Sequence, residues 1–330
     1  MEYSEIKKFV CTCCGAIAGD YAGEYVLPSP LGKAMQSTTM SYKMATCLTC
    51  GHVQAFPFPA EEDIHCYYAS EKFWKTQGVD DSFDSRHWYQ NFRGNSGLWE
   101  RYHRARYQLC VINKILALKK NVKILDLGSG YSPFLFHCRK HGFQNLYALD
   151  PSHNVCQFLE TQGISTYNML FEDYICLDDP IKFDIMVISH AIEHLVDPAS
   201  ILVGLKKHLT DDGVLYVDVP FQDHLRPYNQ GLHLQFFCES SIRRILENSG
   251  YKVCWSDIDH HRLIDRAILG IFYFLYGKLF HNGGGITPSS TIERLHRWIW
   301  RPLKSILRLR INIFISTADL RVIARVADKS

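Results

Sequence analysis

The sequence predicts an α/β protein built on a parallel sheet, with a small cysteine-bearing module in front and a helical insertion near the end, and three observations carry that prediction. First, the apolar run from Val122 to Leu125 leads into Asp126, Gly128 and Gly130 and then into residues 132–142 of helical composition. Such a run reads as a buried strand that turns sharply into a helix. Second, another apolar stretch, Leu146-Tyr147-Ala148-Leu149, ends in Asp150, 24 positions after Asp126. Together these make a βαβ unit of the nucleotide-binding kind, in which Gly128 and Gly130 allow close approach to a ligand and Asp150 is placed to accept hydrogen bonds from ribose hydroxyls. Third, strand and helix patterns keep alternating to residue 220, as a parallel sheet requires.

The elements follow in order. Met1 to Val10 carries Glu2, Glu5, Lys7 and Lys8 and lacks the apolar core of a secretory signal, so a cytoplasmic location is expected. The 12 cysteines of the 330-residue chain then read as thiols and metal ligands rather than as a disulfide framework. Cys11-Thr12-Cys13-Cys14-Gly15 and Cys47-Leu48-Thr49-Cys50-Gly51 are two Cys-x-x-Cys pairs, each followed by a glycine that permits a tight turn. Cys11, Cys14, Cys47 and Cys50 would close a tetrahedral Zn²⁺ site with no position open to water, hence structural. A single such pair can be a redox motif, but two glycine-flanked pairs favour the metal. Metal binding would supply the folding free energy of a module over residues 1–60, and zinc loss is expected to unfold that module and leave the catalytic part intact. Residues 61–99 form an aromatic-rich linker or lid, with Tyr67, Tyr68, Phe73, Trp74, Trp88, Tyr89 and Phe92 available to stack on a ligand or to pack as core.

The domain from residue 100 to 330 holds the sheet. After the first two strands come Gly163 to Tyr167, Phe183 to Ser189, a helix over Ala199 to Leu209, Gly213 to Pro220, and a last strand over Asp319 to Val326. A dinucleotide site wants a third glycine, but Pro133 stands there, and Asp126 ahead of Gly128 would repel phosphate and suit a cationic ligand with an α-amino group. On these residues the stretch from Trp99 to Asp257 resembles the class I S-adenosylmethionine (SAM) methyltransferases, which implies a Rossmann-like sheet, SAM as cofactor, and a cofactor site of Asp126, Gly128, Gly130 and Asp150. The resemblance adds Asp173, in Phe171-Glu172-Asp173, as an acid near the adenine amino group. With the cysteine pairs in front, the chain is similar to the sugar C-methyltransferases and methyltransferases of polysaccharide clusters. The large C-terminal domain of the former is not expected here.

In place of that domain stands an insertion at about residues 263–316. Leu263 to Phe280 is strongly apolar, but its uncharged run from Ala267 to Gly277 is too short to span a bilayer. Arg294, Arg297, Arg301, Lys304 and Arg308 then recur at spacings of three and four, along one helix face, with Pro302 placed to kink it. Residues 261–330 hold 12 Lys or Arg against 4 Asp or Glu, while the rest holds 24 against 30. A basic stripe beside Trp298 and Ile299 is the composition of an interfacial helix, so peripheral contact with the inner face of a membrane is expected. A packed hairpin or a dimer interface is the alternative. The acidic remainder argues against broad nucleic-acid binding.

Catalysis is expected at the carboxyl ends of the strands, where His190 follows the fourth strand, Glu193 and His194 lie three and four residues on, and His233 sits in the loop after the fifth. A neutral imidazole can take a proton as the methyl group is attacked, and Glu193 can orient it. The same residues resemble the Glu-x-x-Glu-His set of metal-dependent RNA and quinone O-methyltransferases, with His190 replacing one carboxylate. A hard cation is thereby disfavoured. The function expected is methyl transfer from SAM to a sugar, glycan or other small acceptor, lipid-linked in one version. The alternatives are a metal-assisted O-methyltransferase of RNA or quinone, and a noncatalytic SAM-binding or zinc-scaffold subunit.

Overall fold

The computed structural model describes residues 8–26, 41–60, 64, 96–178, 180–221, 223–225, 232–259 and 319–327. The aromatic residues from Tyr67 to Phe92 and the insertion at 263–316 lie outside the described residues. The chain divides into two compact units, Met1–Asp257 with Leu320–Ser330, and Ile258–Asp319. Of the second unit, the described residues are the end of one strand and the first residue of another.

The first unit opens with β1 (Gly19–Val26), β2 (Ser41–Cys47) and β3 (Val53–Ala55), paired antiparallel in that order. A long helix follows, α1 (Ser96–Leu116), which buries Ala105, Gln108, Leu109 and Ile112. That spacing of three and four is the inward stripe of an amphipathic helix. Then strands and helices alternate: β4 (Lys123–Leu127), α2 (Pro133–Lys140), β5 (Asn145–Leu149), α3 (His153–Thr161), β6 (Ser165–Tyr167), α4 (Phe171–Tyr174), β7 (Phe183–Ser189), α5 (Pro198–Leu205) and β8 (Leu209–Pro220). Three of the helix starts are legible in chemistry. Ser132 caps α2 through Leu135 N, Ser152 caps α3 through Val155 N, and Asp197 caps α5 through Ser200 N with Pro198 as its first residue. The chain closes with β9 (Gln235–Phe236), α6 (Glu239–Asn248), β10 (Tyr251–Asp259) and β11 (Asp319–Val326).

Seven strands form one sheet in the order β10-β11-β8-β7-β4-β5-β6. The pairs β4·β5, β4·β7, β5·β6 and β7·β8 are all parallel. Ile124, Leu146, Ala148, Ile185, Val187, Val214 and Tyr216 pack with Ala105, Leu109 and Ile112 of α1 and with Leu135 and Val155 of α2 and α3. The alternate positions Leu125, Leu127, Met186, Ile188, Leu215 and Val217 point to the opposite face and are buried as well. Burial on both faces is why these strands read as continuous apolar runs.

The β1-β2-β3 sheet does not end with the N-terminal segment. β9 adds to it antiparallel, with Val53 opposite Phe236 and Gln54 opposite Gln235. Its core of Tyr25, Tyr42, Met44, Val53, Ala55 and Ile64 is completed by Leu232, Leu234 and Phe236. The N-terminal segment and β9 thereby share one sheet and one core.

Candidate active site

Strand order reverses between β4 and β7, and open α/β sheets bind ligands in the crevice at such a switch, outside the carboxyl ends of the strands. The loop after β4 is drawn tightly across that point. The N–H groups of Gly128 and Ser129 both donate to the Leu149 carbonyl, at 2.9 and 3.0 Å, and Gly130 N–H donates to Asp150 Oδ2 at 2.8 Å. Gly128 sits at φ 68°, and a Cβ there would lie 2.6 Å from Ala191 Cβ in the loop after β7. Two ligand-side loops thus touch at a position only glycine can occupy.

The acids of this loop region are buried. Asp126 accepts the Ser132 hydroxyl at 2.5 Å, and burial pushes its pKa up to about 7 despite that bond, with Asp150 adding to the rise. Asp150 accepts from Gly130 N and, through Oδ1, from Ser152 N at 2.9 Å; burial still lifts it to about 6. Asp126, Gly128, Gly130 and Asp150 therefore lie together at the ends of β4 and β5. Asp173 is exposed on α4, and the residue of that helix next to Gly128 is Phe171, with Cζ 3.5 Å from the Cβ position.

The second cluster leaves the end of β7. His190 adopts φ 53°, unusual for a residue with a side chain, and its N–H donates to the Asp218 carbonyl at 2.8 Å. Its Nδ1 lies 3.5 Å from Glu193 Oε1. Glu193 is 1% exposed and neither carboxylate oxygen has a hydrogen-bond partner among the described residues; burial raises its pKa to about 8. His194 Nδ1 meets the Leu232 carbonyl at 2.7 Å, and burial, with His233 adjoining, holds its pKa near 3 and its ring neutral. His233 Nδ1 is hydrogen-bonded to Asp223 Oδ2. One ligand atom each from Glu193, His194 and His233 falls within 4.8 Å of the others.

Sequence reasoning missed the residues behind these. Gln108 of α1 donates its two amide hydrogens to Ser189 Oγ at 2.8 Å and Asp218 Oδ2 at 3.0 Å, under the His190 turn. Arg321 adds Nε at 3.4 Å to the same oxygen, and its guanidinium lies over the Tyr107 ring. An acid at the end of the otherwise apolar strand Val214 to Val219 was the signal available for Asp218. Ser132 was visible as a Ser-Pro helix start.

Residues 99–254 match the family model described as a methyltransferase domain. This stretch is similar to methyltransferase domains. No curated protein matches the chain. Among solved structures, coclaurine N-methyltransferase bound to N-methylheliamine and SAH aligns at 12% identity over 67% of this chain and 70% of its own, with a TM-score of 0.45. A SAM-dependent methyltransferase from Archaeoglobus fulgidus aligns at 17% identity over 73% and 100%, with a TM-score of 0.44. The plantazolicin methyltransferase BpumL in complex with SAH aligns at 14% over 76% and 93%, also at 0.44.

The four cysteines connect to residues 99–254 through the pairing of β3 with β9. Cys11 Sγ lies 3.7 Å from Cys50 Sγ and Cys14 Sγ 3.6 Å from Cys47 Sγ, with all four sulfurs within 4.8 Å of one another. Tetrahedral zinc with bonds of about 2.3 Å sets its sulfurs about 3.8 Å apart, so the set fits that ion. The two knuckles are built alike: Gly15 N–H returns to the Cys11 carbonyl at 2.8 Å and Gly51 N–H to the Cys47 carbonyl at 2.9 Å, each glycine at φ 72°. Cys13 is not part of the set and donates its thiol to the Ser241 carbonyl.

Proposed function

We propose that the protein transfers the methyl group of SAM to a hydroxyl or activated carbon of a sugar or other small acceptor, with His190 as general base and zinc held by Cys11, Cys14, Cys47 and Cys50. The observation that carries this reading is His190 turned out of the end of β7 by its positive φ, beside Glu193 and next to the loop that touches Gly128. When bound, SAM supplies a methyl group activated by a sulfonium centre. Asp126 is the acid for the amino end of that ligand and Asp150 the acid for its ribose. Gly128 keeps the loop thin enough for close approach. His190 takes the acceptor's proton as the new bond to the methyl carbon forms and the carbon–sulfur bond breaks, its electron pair leaving with sulfur. Holding both partners in line contributes the rest. Incubating the full chain with methyl-labelled SAM and fractionated glycolipid and nucleotide-sugar extracts tests this: label should enter a small glycan-bearing product, and label entering only RNA or protein would end the reading.

Asp126 gives this proposal a pH signature. Its pKa of about 7 in the fold against an ordinary 3.8 means the folded protein holds a proton that the unfolded chain has released between those values. Its contribution to stability accordingly falls as pH rises through that window. A cationic ligand favours the carboxylate, so SAM binding should release a proton and be about tenfold tighter at pH 8 than at pH 6. Calorimetry in buffers of different ionisation enthalpy reads both; equal affinity without proton release would remove Asp126 from the amino-group role.

A second reading, a metal-assisted O-methyltransferase, is favoured by the convergence of Glu193, His194 and His233. Nδ1 of each histidine is engaged, by Leu232 O and by Asp223, an arrangement that orients a ring to coordinate through Nε2. Two histidines and one carboxylate suit Mn²⁺, Fe²⁺ or Zn²⁺ better than Mg²⁺. Titration with Mn²⁺ followed by electron paramagnetic resonance decides: one bound ion lost in Glu193→Gln supports this version, and no bound ion leaves His190 to act alone.

No helix among the described residues is long and apolar enough to cross a membrane. For residues 263–316 the proposal stays with the sequence: a peripheral contact in which the apolar stretch enters the headgroup boundary and the basic stripe adds salt-sensitive attraction. Full-length protein should float with anionic vesicles at low salt and not after Arg297, Arg301 and Lys304 are changed to Glu. Wild type that ignores anionic vesicles would point instead to a soluble acceptor.

A further inference from the structure

Gln235 is 1% exposed, and its amide is used at both ends. Oε1 accepts from His52 Nε2 at 2.8 Å and from the Thr12 hydroxyl at 2.9 Å. Nε2 donates to the carbonyls of Leu195 at 2.9 Å and Val196 at 3.2 Å. These partners come from three distant places in the sequence. Thr12 lies inside the first cysteine knuckle, His52 follows the second by two residues, and Leu195 and Val196 come directly after His194. The Gln235 oxygen can only accept, so the His52 ring hydrogen sits on the nitrogen that faces it.

The chain around Gln235 repeats the connection. Leu234 N–H donates to the Glu193 carbonyl at 2.8 Å, and Ala55 N–H of β3 donates to the Leu234 carbonyl at 2.8 Å. Tyr42 of β2 donates its hydroxyl to the carbonyl of His233. Only a side-chain amide meets the demand at Gln235: a carboxylate would set negative charge against two carbonyls, and a hydrocarbon would orphan buried donors and acceptors.

We propose that Gln235 is a positioning residue, through which the four-cysteine centre holds the loop carrying Glu193 and His194, and with it His233, at the crevice of the methyltransferase domain. Metal at the cysteines then fixes the knuckles that aim Thr12 and His52, and Gln235 transmits that order to the site. This rests on zinc filling the cysteine centre and on these histidines serving the reaction. The test reads geometry rather than turnover, so a wrong acceptor or a wrong base leaves its outcome unaffected.

Gln235→Met keeps the length of the side chain and removes all four polar links while leaving every cysteine and histidine in place. In the zinc-loaded full chain it should retain one zinc and raise hydrogen exchange over residues 190–198 by about tenfold or more. Side-chain ¹H–¹⁵N NMR supplies a signature that general loosening elsewhere would not give. His194 Nδ1 faces a carbonyl and must carry the ring hydrogen, so release of the loop should shift the ring toward the Nε2–H tautomer. Chelating zinc from wild type should produce the same two changes and add little to the Gln235→Met protein. Thr12→Val, which cuts one link, should give a smaller increase of two- to threefold and decides the matter if the Met variant does not fold. Wild-type exchange and tautomer in the variants, no response of residues 190–198 to chelation, or loss of zinc from Gln235→Met would each overturn the proposal, the last by making Gln235 part of the centre itself.

Discussion

Gly128→Val is expected to abolish SAM binding and to lower stability by about 2–5 kcal/mol. Two independent costs add at this position. At φ 68° any side chain carries the left-handed penalty, about 1–2 kcal/mol. The Cβ would also stand 2.6 Å from Ala191 Cβ, so one of the two loops must move. Neither moves freely: Gly128 N–H is tied to Leu149 O, and the Ala191 loop begins at His190, whose N–H is tied to Asp218 O. Displacing the first loop also carries Gly130 away from Asp150. Gly163 is the control, since it has a similar φ of 71° but nothing within 4 Å of its Cβ position. Gly163→Ala should cost only the backbone penalty, about 1 kcal/mol, and leave SAM affinity unchanged. Denaturant unfolding and calorimetry on both variants separate the two effects; a Gly128→Val protein that binds SAM normally would remove the glycine loop from the cofactor site.

What the sequence made legible follows the range of the forces involved. The strand at Phe183 to Ser189 and the last strand at Asp319 to Val326 were bounded as the structure has them; the first carries the apolar run Ile185 to Ile188, and the second centres on Val322, Ile323 and Ala324 between two arginines. Strand β8 begins four residues earlier than expected, at Leu209 rather than Gly213. Thr210-Asp211-Asp212 reads as a turn locally, but Leu209 pairs with Phe183 across a register shift, and pairing overrides the local preference. The helix before it ends at Leu205, and Lys206–His208 tighten into a 3₁₀ turn.

The candidate site divides along the same line. Asp126, Gly128, Gly130 and Asp150 belong to one βαβ unit, so their chemistry is written within 25 residues of sequence. Glu193 and His194 follow a strand end that was also legible. Asp223 beside His233, Gln108 beneath Ser189, and Gln235 between the knuckles and the loop after β7 were not. Each depends on a contact with a distant part of the chain, and a two-residue strand such as Gln235-Phe236 has no periodicity to betray it. Buried polar side chains in otherwise apolar segments were the available hint: Gln54 and Gln235, both 1% exposed, face one another across β3 and β9.

That shared sheet sets what loss of zinc should do, which is the last expectation. The double variant Cys47→Ser/Cys50→Ser is expected to retain less than half an equivalent of metal and to lose ordered structure beyond its own segment. Structural zinc supplies on the order of 10 kcal/mol in small modules, more than a core of this size can replace. The core built on β1, β2 and β3 includes Leu232, Leu234 and Phe236, so melting of those strands exposes residues that flank His233. Strands β4, β5 and β7 are held by a separate core with α1, α2 and α3. Hydrogen exchange should therefore rise together over residues 41–55 and 232–237 while residues 183–189 stay protected, and SAM should still find the glycine loop. Full zinc retention in the double variant would refute a four-thiolate site. Exchange confined to residues 41–55 would show that β9 keeps its place without the module, and uniform loss across 183–189 would show that the two cores fold as one.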